Sequence, residues 1–165
     1  MLGTNVARAA DSDYNLKITG TIVAQTCDVT SQSQNQTVNI GDFSTPEFPS
    51  TGSTGAEKPF KIDLTGCTPG IAGAKVMFSG AADATNPDLL ALSDTSGGGE
   101  MATGVGVEIL DGSKNTIPIN NTDSGLFSLQ EGSNSLQFYL RYKSTTDTVT
   151  AGNATAVMYF DLQYQ

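Results

Sequence analysis

Two cysteines are the residues of this sequence best suited to covalent chemistry. Cys27 and Cys67 fall in segments predicted to be neighbouring strands, and neither has the CxxC spacing or the histidine company of a zinc site. An intrachain disulfide is therefore expected, and closing a loop of this length contributes about 4 kcal/mol if it acts through chain entropy. A disulfide also indicates an oxidising compartment. Two buried reduced thiols are the alternative.

Other reactive groups argue against catalysis. Histidine is absent from all 165 residues, which excludes a Ser-His-Asp triad, a Cys-His dyad and a histidine zinc site. The carboxylates of Asp83, Asp94 and Asp111 stand in segments typical of turns. Asp11–Asn15 begins like a calcium loop, but Leu16 stands where that loop requires glycine. We expect a protein that is not an enzyme and uses no cofactor and no metal.

The composition of the chain limits the kinds of partner that it is expected to bind. The chain has 8 basic and 17 acidic residues, a formal charge of −9, so a nucleic-acid partner is not expected. An acidic surface of this kind favours solubility. No apolar run approaches the roughly 18 residues of a membrane helix, so membrane insertion is not expected either. With 18 glycines and many threonines and serines, the sequence favours short strands joined by turns.

Short bursts of alternation predict the strands that must position any site. Apolar residues recur at every second position in several segments. The predicted strands are Phe60–Leu64, Leu136–Lys143, Thr37–Phe43, Ala74–Ser79, Gly104–Leu110 and Thr116–Ile119. Turns are predicted at Asp111-Gly112 and Glu131–Asn134, a loop over Ser44–Glu57 and a helical turn within Asn86–Ser93. Seven or more such strands in one domain predict an all-β, immunoglobulin-like sandwich.

The C-terminal residues form the most informative strand. One face of an extended chain carries Ala156, Met158, Phe160, Leu162 and Tyr164. Thr155, Asp161 and Gln163 fall on the other face. So apolar a terminal edge would fray or aggregate unless another strand covered it. We expect this strand to lie inside a sheet.

The N-terminal segment has a matching pattern. Period two places on one face Tyr14, Leu16, Ile18, Gly20 and Ile22. The opposite face carries Asn15, Lys17, Thr19 and Thr21. Taken alone, this pattern fits a plain edge or core strand.

Taken together, the two ends resemble the ends of chaperone–usher fimbrial subunits of the type 1-like pilin family. Gly152 and Tyr164, fourteenth and second from the end, bracket the terminal strand as in those pilins. The run from Tyr14 to Ile22, with Cys27 seven residues after Gly20, is similar to their N-terminal extension and first strand. The middle of the chain adds similar segments, namely Phe60–Cys67, Phe78–Asp83 and Leu89–Leu92, and Asp161–Gln165 resembles the C-terminal signature of the family.

The resemblance implies an incomplete sandwich that lacks its last strand and is completed by a donor strand. A periplasmic chaperone would first fill the resulting groove, and at the outer-membrane usher the extension of the next subunit would replace it. Such β-augmentation takes affinity from main-chain hydrogen bonds and specificity from alternate side chains. The expected product is an adhesive pilus on the bacterial surface, reached through the periplasm, in which neighbouring subunits are the partners.

The resemblance also divides the chain. Residues 1–10 are expected to be a truncated leader or a cloning remnant, or else a short native tail, residues 11–23 the donor extension, and 24–165 the pilin domain. Tyr14, Leu16, Ile18 and Ile22 would insert into a neighbour, and Gly20 would permit close approach. The acceptor strand would begin near Gly152, and the even-numbered residues of Ala156–Tyr164 would face the groove.

Some alternatives stay open on the sequence alone. Four residues of one strand would line the groove or fill the core, with the core favoured: Leu136, Phe138, Leu140 and Tyr142. The subunit would be a major shaft pilin or a minor tip adaptor. A fimbrial adhesin or carbohydrate-binding module is the alternative function, although tryptophan, a common sugar-stacking residue, is absent.

Overall fold

Short antiparallel strands make up most of the regular structure. The computed structural model describes residues 17–22, 24–95, 97, 99–120 and 124–165. In chain order the strands are β1 (Asp28–Val29), β2 (Lys58–Cys67), β3 (Gly73–Ser79), β4 (Val105–Asp111), β5 (Phe127–Ser128), β6 (Gly132–Ser144) and β7 (Tyr159–Tyr164). The four-residue helix α1 (Ser31–Gln34) and a 3-10 turn at Thr45–Glu47 complete the elements. In the described ranges, the helices are too short to cross a membrane.

The strands form two sheets. One has the order β1-β2-β6-β4 and the other the order β5-β3-β7, and all pairs are antiparallel. Phe60 lies opposite Phe138 in the first sheet, and Phe78 lies opposite Phe160 in the second. Because side chains alternate along a strand, one face of each sheet points into the space between them. The predicted all-β sandwich is confirmed.

A cluster of phenylalanines joins the two sheets. The rings of Phe78 and Phe138 meet edge to face with their centroids 4.9 Å apart. Phe60 stacks on Phe138 at 5.4 Å, and Phe127 meets the same ring edge to face at 5.2 Å. Such offset and edge-on contacts suit the charge distribution of aromatic rings. Phe138 is therefore the centre of the core.

Along β4 the sandwich is closed by the chain itself. The amide of Leu90 donates to the carbonyl of Val107, and the amide of Val107 donates back, both at 2.9 Å. Farther along the strand, the amide of Ile117 donates to the carbonyl of Ile109 at 2.8 Å. These bonds satisfy backbone groups that would otherwise face outward from the edge of a sheet.

Several predicted strands lie within observed ones, and others do not. The predictions at Phe60–Leu64, Ala74–Ser79, Gly104–Leu110 and Leu136–Lys143 coincide with β2, β3, β4 and β6. Thr37–Phe43 is not a strand and has no regular secondary structure. The chain just before it is attached to β2 by a side chain, because Gln36 Nε2 donates to the Lys61 carbonyl at 2.9 Å. Thr116–Ile119 forms only a single bridge, between Thr116 and Leu110.

The predicted turns also change. Within Asn86–Ser93 a single turn forms, closed by the amide of Leu89 donating to the carbonyl of Asn86 at 3.0 Å, and Leu90 then pairs with Val107 in an extended conformation. The residues Gly132–Asn134 open β6 instead of forming a turn, since Gly132 lies opposite Cys67. A positive φ of 95° at Gly132 suits glycine and lets β6 begin there. The terminal strand begins at Tyr159, later than the alternation suggested.

Candidate functional site

A long groove runs between the terminal segment and the segment that follows the first helix. Its volume is about 1000 Å³. One wall is the terminal segment, residues 149–160, and the other is the segment of residues 33–45. The floor contains core side chains of the first sheet and of Leu90, namely Phe60, Leu90, Val105, Val107, Leu140 and Tyr142. A trough with an apolar floor between two stretches of chain is suited to an extended peptide.

The first wall is built by β7 and the residues before it. β7 pairs with β3 along one edge, and no strand among the described residues pairs with its other edge. Ala156, Met158, Phe160, Leu162 and Tyr164 are all half-buried against the core. The predicted acceptor face is therefore apolar and inward, and the first three of these side chains line the groove whereas Leu162 and Tyr164 lie beyond its lining.

The second wall is held against β2 by side chains. Thr30 caps α1 by accepting from the amide of Ser33, and Ser33 Oγ in turn accepts from the amide of Asp63 at 2.8 Å. After the helix, Val38 and Ile40 are half-buried while their neighbours are exposed. Sequence reasoning placed a strand here and missed that these residues are a wall. The alternation of Val38 and Ile40 was the signal.

Tyr142 links the floor to the first wall. Its hydroxyl donates to the carbonyl of Ala154 at 2.6 Å, and its ring meets Phe43 of the second wall edge to face at 5.6 Å. Burial raises the pKa of Tyr142, and the negative charge of Asp42 raises it further. Leu140 shares the floor, whereas Leu136 and Phe138 are buried core residues outside the groove lining.

The two bracketing residues have different surroundings. Gly152 lies so close to the backbone of Met101 and Ala102 that a Cβ would collide with it. Tyr164 donates its hydroxyl to the carbonyl of Cys27 at 3.3 Å, and burial raises its pKa. Gly152 thus allows a close backbone approach, and Tyr164 packs beside the disulfide.

The disulfide is present as expected, between Cys27 and Cys67. The chain just before it is fixed to the loop that follows β2, because the amide of Thr68 donates to the carbonyl of Thr26 at 3.0 Å and Thr68 Oγ1 donates to Gln25 Oε1 at 2.6 Å. These bonds anchor the root of the N-terminal segment at the disulfide end of the sandwich.

The described residues of the N-terminal segment, 17–22, lie outside the groove. Ile18 is 84% exposed and Ile22 is 101% exposed. Gly20 has no atom within 4 Å of the position a Cβ would take, and none of the described residues of this segment lines the groove. Tyr14 and Leu16, predicted to share its apolar face, lie outside the described residues. Ile18 and Ile22 thus expose apolar surface that the described part of the chain leaves uncovered.

A buried acid on the outer face of the first sheet was missed by sequence reasoning. Glu108 in β4 accepts from Arg141 Nε at 2.6 Å, from Lys143 Nζ at 3.3 Å and from Thr116 Oγ1 at 2.7 Å. Burial raises its pKa, but the hydrogen bonds and charges of these partners outweigh burial and hold the pKa below its usual value. The signal was an acid within an apolar strand.

The remaining carboxylates serve local structure. Asp111 accepts from the amides of Ser113 and Asn115, and Asp83 accepts from those of Thr85 and Asn86. No cluster of three or more potential metal ligands occurs in the described ranges. What the groove offers is therefore non-covalent chemistry: unpaired backbone at one edge and apolar pockets beneath it.

The amino-acid sequence of the chain is similar to those of fimbrial proteins. The family described as "Fimbrial protein" matches residues 16–165. The uncharacterized fimbrial-like protein YcbU of Escherichia coli K12 is 46% identical over 166 residues, which cover 100% of this chain and 92% of the relative. The fimbrial subunit type 1 of Salmonella typhimurium is 43% identical over 148 residues, 88% of this chain and 80% of the relative.

Solved structures agree with the sequence comparisons. The Burkholderia pseudomallei antigen and type I fimbria protein BPSL1626 has a TM-score of 0.64 at 32% identity, covering 84% of this chain and 88% of that one. The P pilus rod subunit PapA has a TM-score of 0.70 over 84% of this chain and 99% of its own. At 21% identity, the second likeness shows a shared fold.

Proposed function

This chain belongs to the fimbrial protein family, and on that premise we propose that it is a pilus subunit that polymerises by donor-strand exchange. Its relatives are structural fimbrial subunits, not enzymes. Residues 11–23 form the donor extension, called the arm below, and residues 24–165 form the acceptor domain. The arm of one subunit enters the groove of the next and supplies the missing strand.

One observation carries this proposal: the chain exposes a set of apolar side chains and, elsewhere, a groove of matching character. Ile18 and Ile22 project from the arm without contacts, while the groove displays Met158 and Phe160 beside an unpaired edge. Both features are unfavourable for an isolated domain. Inserting the arm of one copy into another removes both at once.

The energy of this joint follows from burial. Fully burying an apolar side chain of this size contributes about 1.5–3 kcal/mol. Tyr14, Leu16, Ile18 and Ile22 would together contribute about 6–12 kcal/mol before the cost of ordering the arm. Main-chain hydrogen bonds to the free edge of β7 add direction and register. Such a joint would persist without covalent bonds.

A subunit with an open groove needs protection before assembly. We assign that role to a periplasmic chaperone that lies along residues 152–164 until the subunit reaches an outer-membrane usher. The disulfide between Cys27 and Cys67 fits passage through an oxidising compartment. The assembled pilus would stand on the bacterial surface and support adhesion.

The arm is tested by Ile18→Arg, with Thr19→Arg as the matched control one residue along. Ile18→Arg places a charge in an apolar pocket and should abolish incorporation, while the chaperone complex forms normally. Thr19→Arg places the same charge on the solvent side and should assemble. The readout is a size ladder in cold detergent that collapses on boiling. A normal ladder from Ile18→Arg would show that this segment is not the donor strand.

The acceptor strand is tested by ending the chain after Val157. This truncation removes all of β7 and, with Met158 and Phe160, the apolar side chains at the end of the first wall. Chaperone capture, measured by co-purification, should be lost. Recovery of the usual complex from the truncated chain would contradict the assignment of this strand to the chaperone.

A further inference from the structure

One basic and one acidic residue stand in the two stretches that would pair in the proposed joint. The arm carries Asp11 and Asp13 before Tyr14, but from Tyr14 to Thr26 the single charged residue is Lys17, and from Thr148 to Gln165 it is Asp161. The two are opposite in sign. Neither forms an ion pair within the part of the chain that the structure describes.

Both charges fall on the solvent side of the joint. In β7 the odd-numbered residues Tyr159, Asp161 and Gln163 are exposed, and the even-numbered ones face the core. In the arm, Lys17 is of opposite parity to the apolar face that would enter the groove. An arm paired with β7 therefore brings Lys17 and Asp161 to the same surface.

One antiparallel register of the arm brings these two residues together. In an antiparallel arm with Lys17 opposite Asp161, Gly20 falls beside Met158 and Ile22 beside Ala156. The residue without a side chain then meets a long one, and a large side chain meets a small one, as interdigitating layers require. Antiparallel pairing is also the more stable kind.

We propose that Lys17 of one copy and Asp161 of the next form an interchain contact that fixes the register of the arm and selects a second copy of this chain as the occupant. This inference rests on the proposed strand exchange. Tyr159, 66% exposed and two residues from Asp161, flanks the contact and offers its ring face to the Lys17 ammonium.

The test uses charge reversal in the full oxidised chain. Lys17→Glu and Asp161→Lys should each lower the yield of the cold-detergent ladder about threefold, the size expected for an exposed cross-strand ion pair. The double variant should recover the wild-type yield. Mixing the two single variants under different tags should give alternating chains, because each mixed joint again unites opposite charges.

Controls separate this contact from general charge effects and from strand exchange itself. Lys61→Glu, on the outer face of the other sheet, should leave the yield unchanged. The proposal is overturned if the double variant is as weak as the singles, or if Lys61→Glu weakens the ladder as much as Lys17→Glu. If Ile18→Arg abolishes the ladder while charge reversal has no effect, strand exchange stands and this contact is wrong. If Ile18→Arg assembles, strand exchange itself fails.

Discussion

The outer edges of β4 and β7 differ in whether another segment of the chain pairs with them. Along β4 the chain covers its own edge with Leu90 and Ile117, through backbone bonds of 2.8–2.9 Å. Along β7 the free edge has no partner strand in the described part of the chain, and a groove of about 1000 Å³ lies beside it. Both edges belong to the same fold and the same core. The difference shows that the open edge is a specific feature and not a general weakness of a small β domain.

The contrast has a physical consequence for stability. A covered edge contributes to the stability of the single chain, whereas an open one contributes only when another strand arrives. Substitutions near β4 should therefore act on the monomer. Substitutions in the groove should act mainly on the complex or polymer.

The largest expected difference compares Ile109→Ala with Met158→Ala. Ile109 in β4 is 1% exposed, and replacing it by alanine should lower the free energy of unfolding of the monomer by about 2–5 kcal/mol. Met158 is only half-buried in the open groove. Its replacement by alanine should destabilise the monomer clearly less, but it should weaken the assembled state. Urea unfolding of the monomer and thermal dissociation of the ladder measure the two effects. Equal losses in the monomer would contradict the contrast between the two sides.

The disulfide lies at one end of the open side, beside Tyr164 of β7 and the root of the arm. Replacing both cysteines by serine should lower the free energy of unfolding by about 4 kcal/mol, because it releases a closed loop with a sequence separation of 40. Urea unfolding of the oxidised wild type and the Cys27→Ser/Cys67→Ser variant gives the value. An unchanged midpoint would show that the loop is held by other contacts.

Replacing the buried acid of β4, Glu108, should have an intermediate effect on the free energy of unfolding. Glu108→Gln leaves Arg141 and Lys143 without their counter-charge and should cost about 1–3 kcal/mol. Because the folded pKa of Glu108 is lowered, its contribution is present above its unfolded value of 4.5 and is lost as the pH falls through the folded pKa.

The matched control is Glu57→Gln, which removes a more exposed partner of Lys114 and should cost less than about 1 kcal/mol. Urea unfolding at pH 7 and at acid pH compares the two variants. A larger loss from Glu57→Gln would reverse the assignment. Neither substitution should alter the capacity of the groove to take a strand.

The smallest effect concerns the hydroxyl of Tyr142 in the groove floor. Tyr142→Phe removes the bond to Ala154 and should cost about 1 kcal/mol near pH 8. Because burial raises the folded pKa, the contribution of this group is full below its unfolded value of 10.0 and is lost as the pH rises through the folded pKa. The deficit of the variant should therefore narrow in alkali.

Tyr159→Phe is the control, since its hydroxyl is on an exposed side chain. It should match the wild type at pH 8. Urea midpoints across the alkaline range test the comparison, and a constant gap for Tyr142→Phe would contradict the role of its ionisation.

Sequence reasoning succeeded where period two was regular and local. Phe60, Ile62 and Leu64 are buried as predicted, and so are Leu136, Phe138 and Leu140. It failed where residues distant in the sequence determine the local conformation. Leu90 covers the edge of β4 because it pairs with Val107, and Val38 lies in a wall of the groove without forming a strand. The groove was expected from the resemblance, but its second wall was not.

The amino-acid sequence by itself determined which residues alternate, which cysteines were available to pair, and that both ends carry an apolar face. Those properties depend on side-chain order along one strand. Only the tertiary structure decided which edge is closed and which is open, because backbone pairing joins residues far apart in the chain and alternation does not name the partner. The placement of Glu108, Tyr142 and residues 33–45 was settled in the same way, by what packs against them.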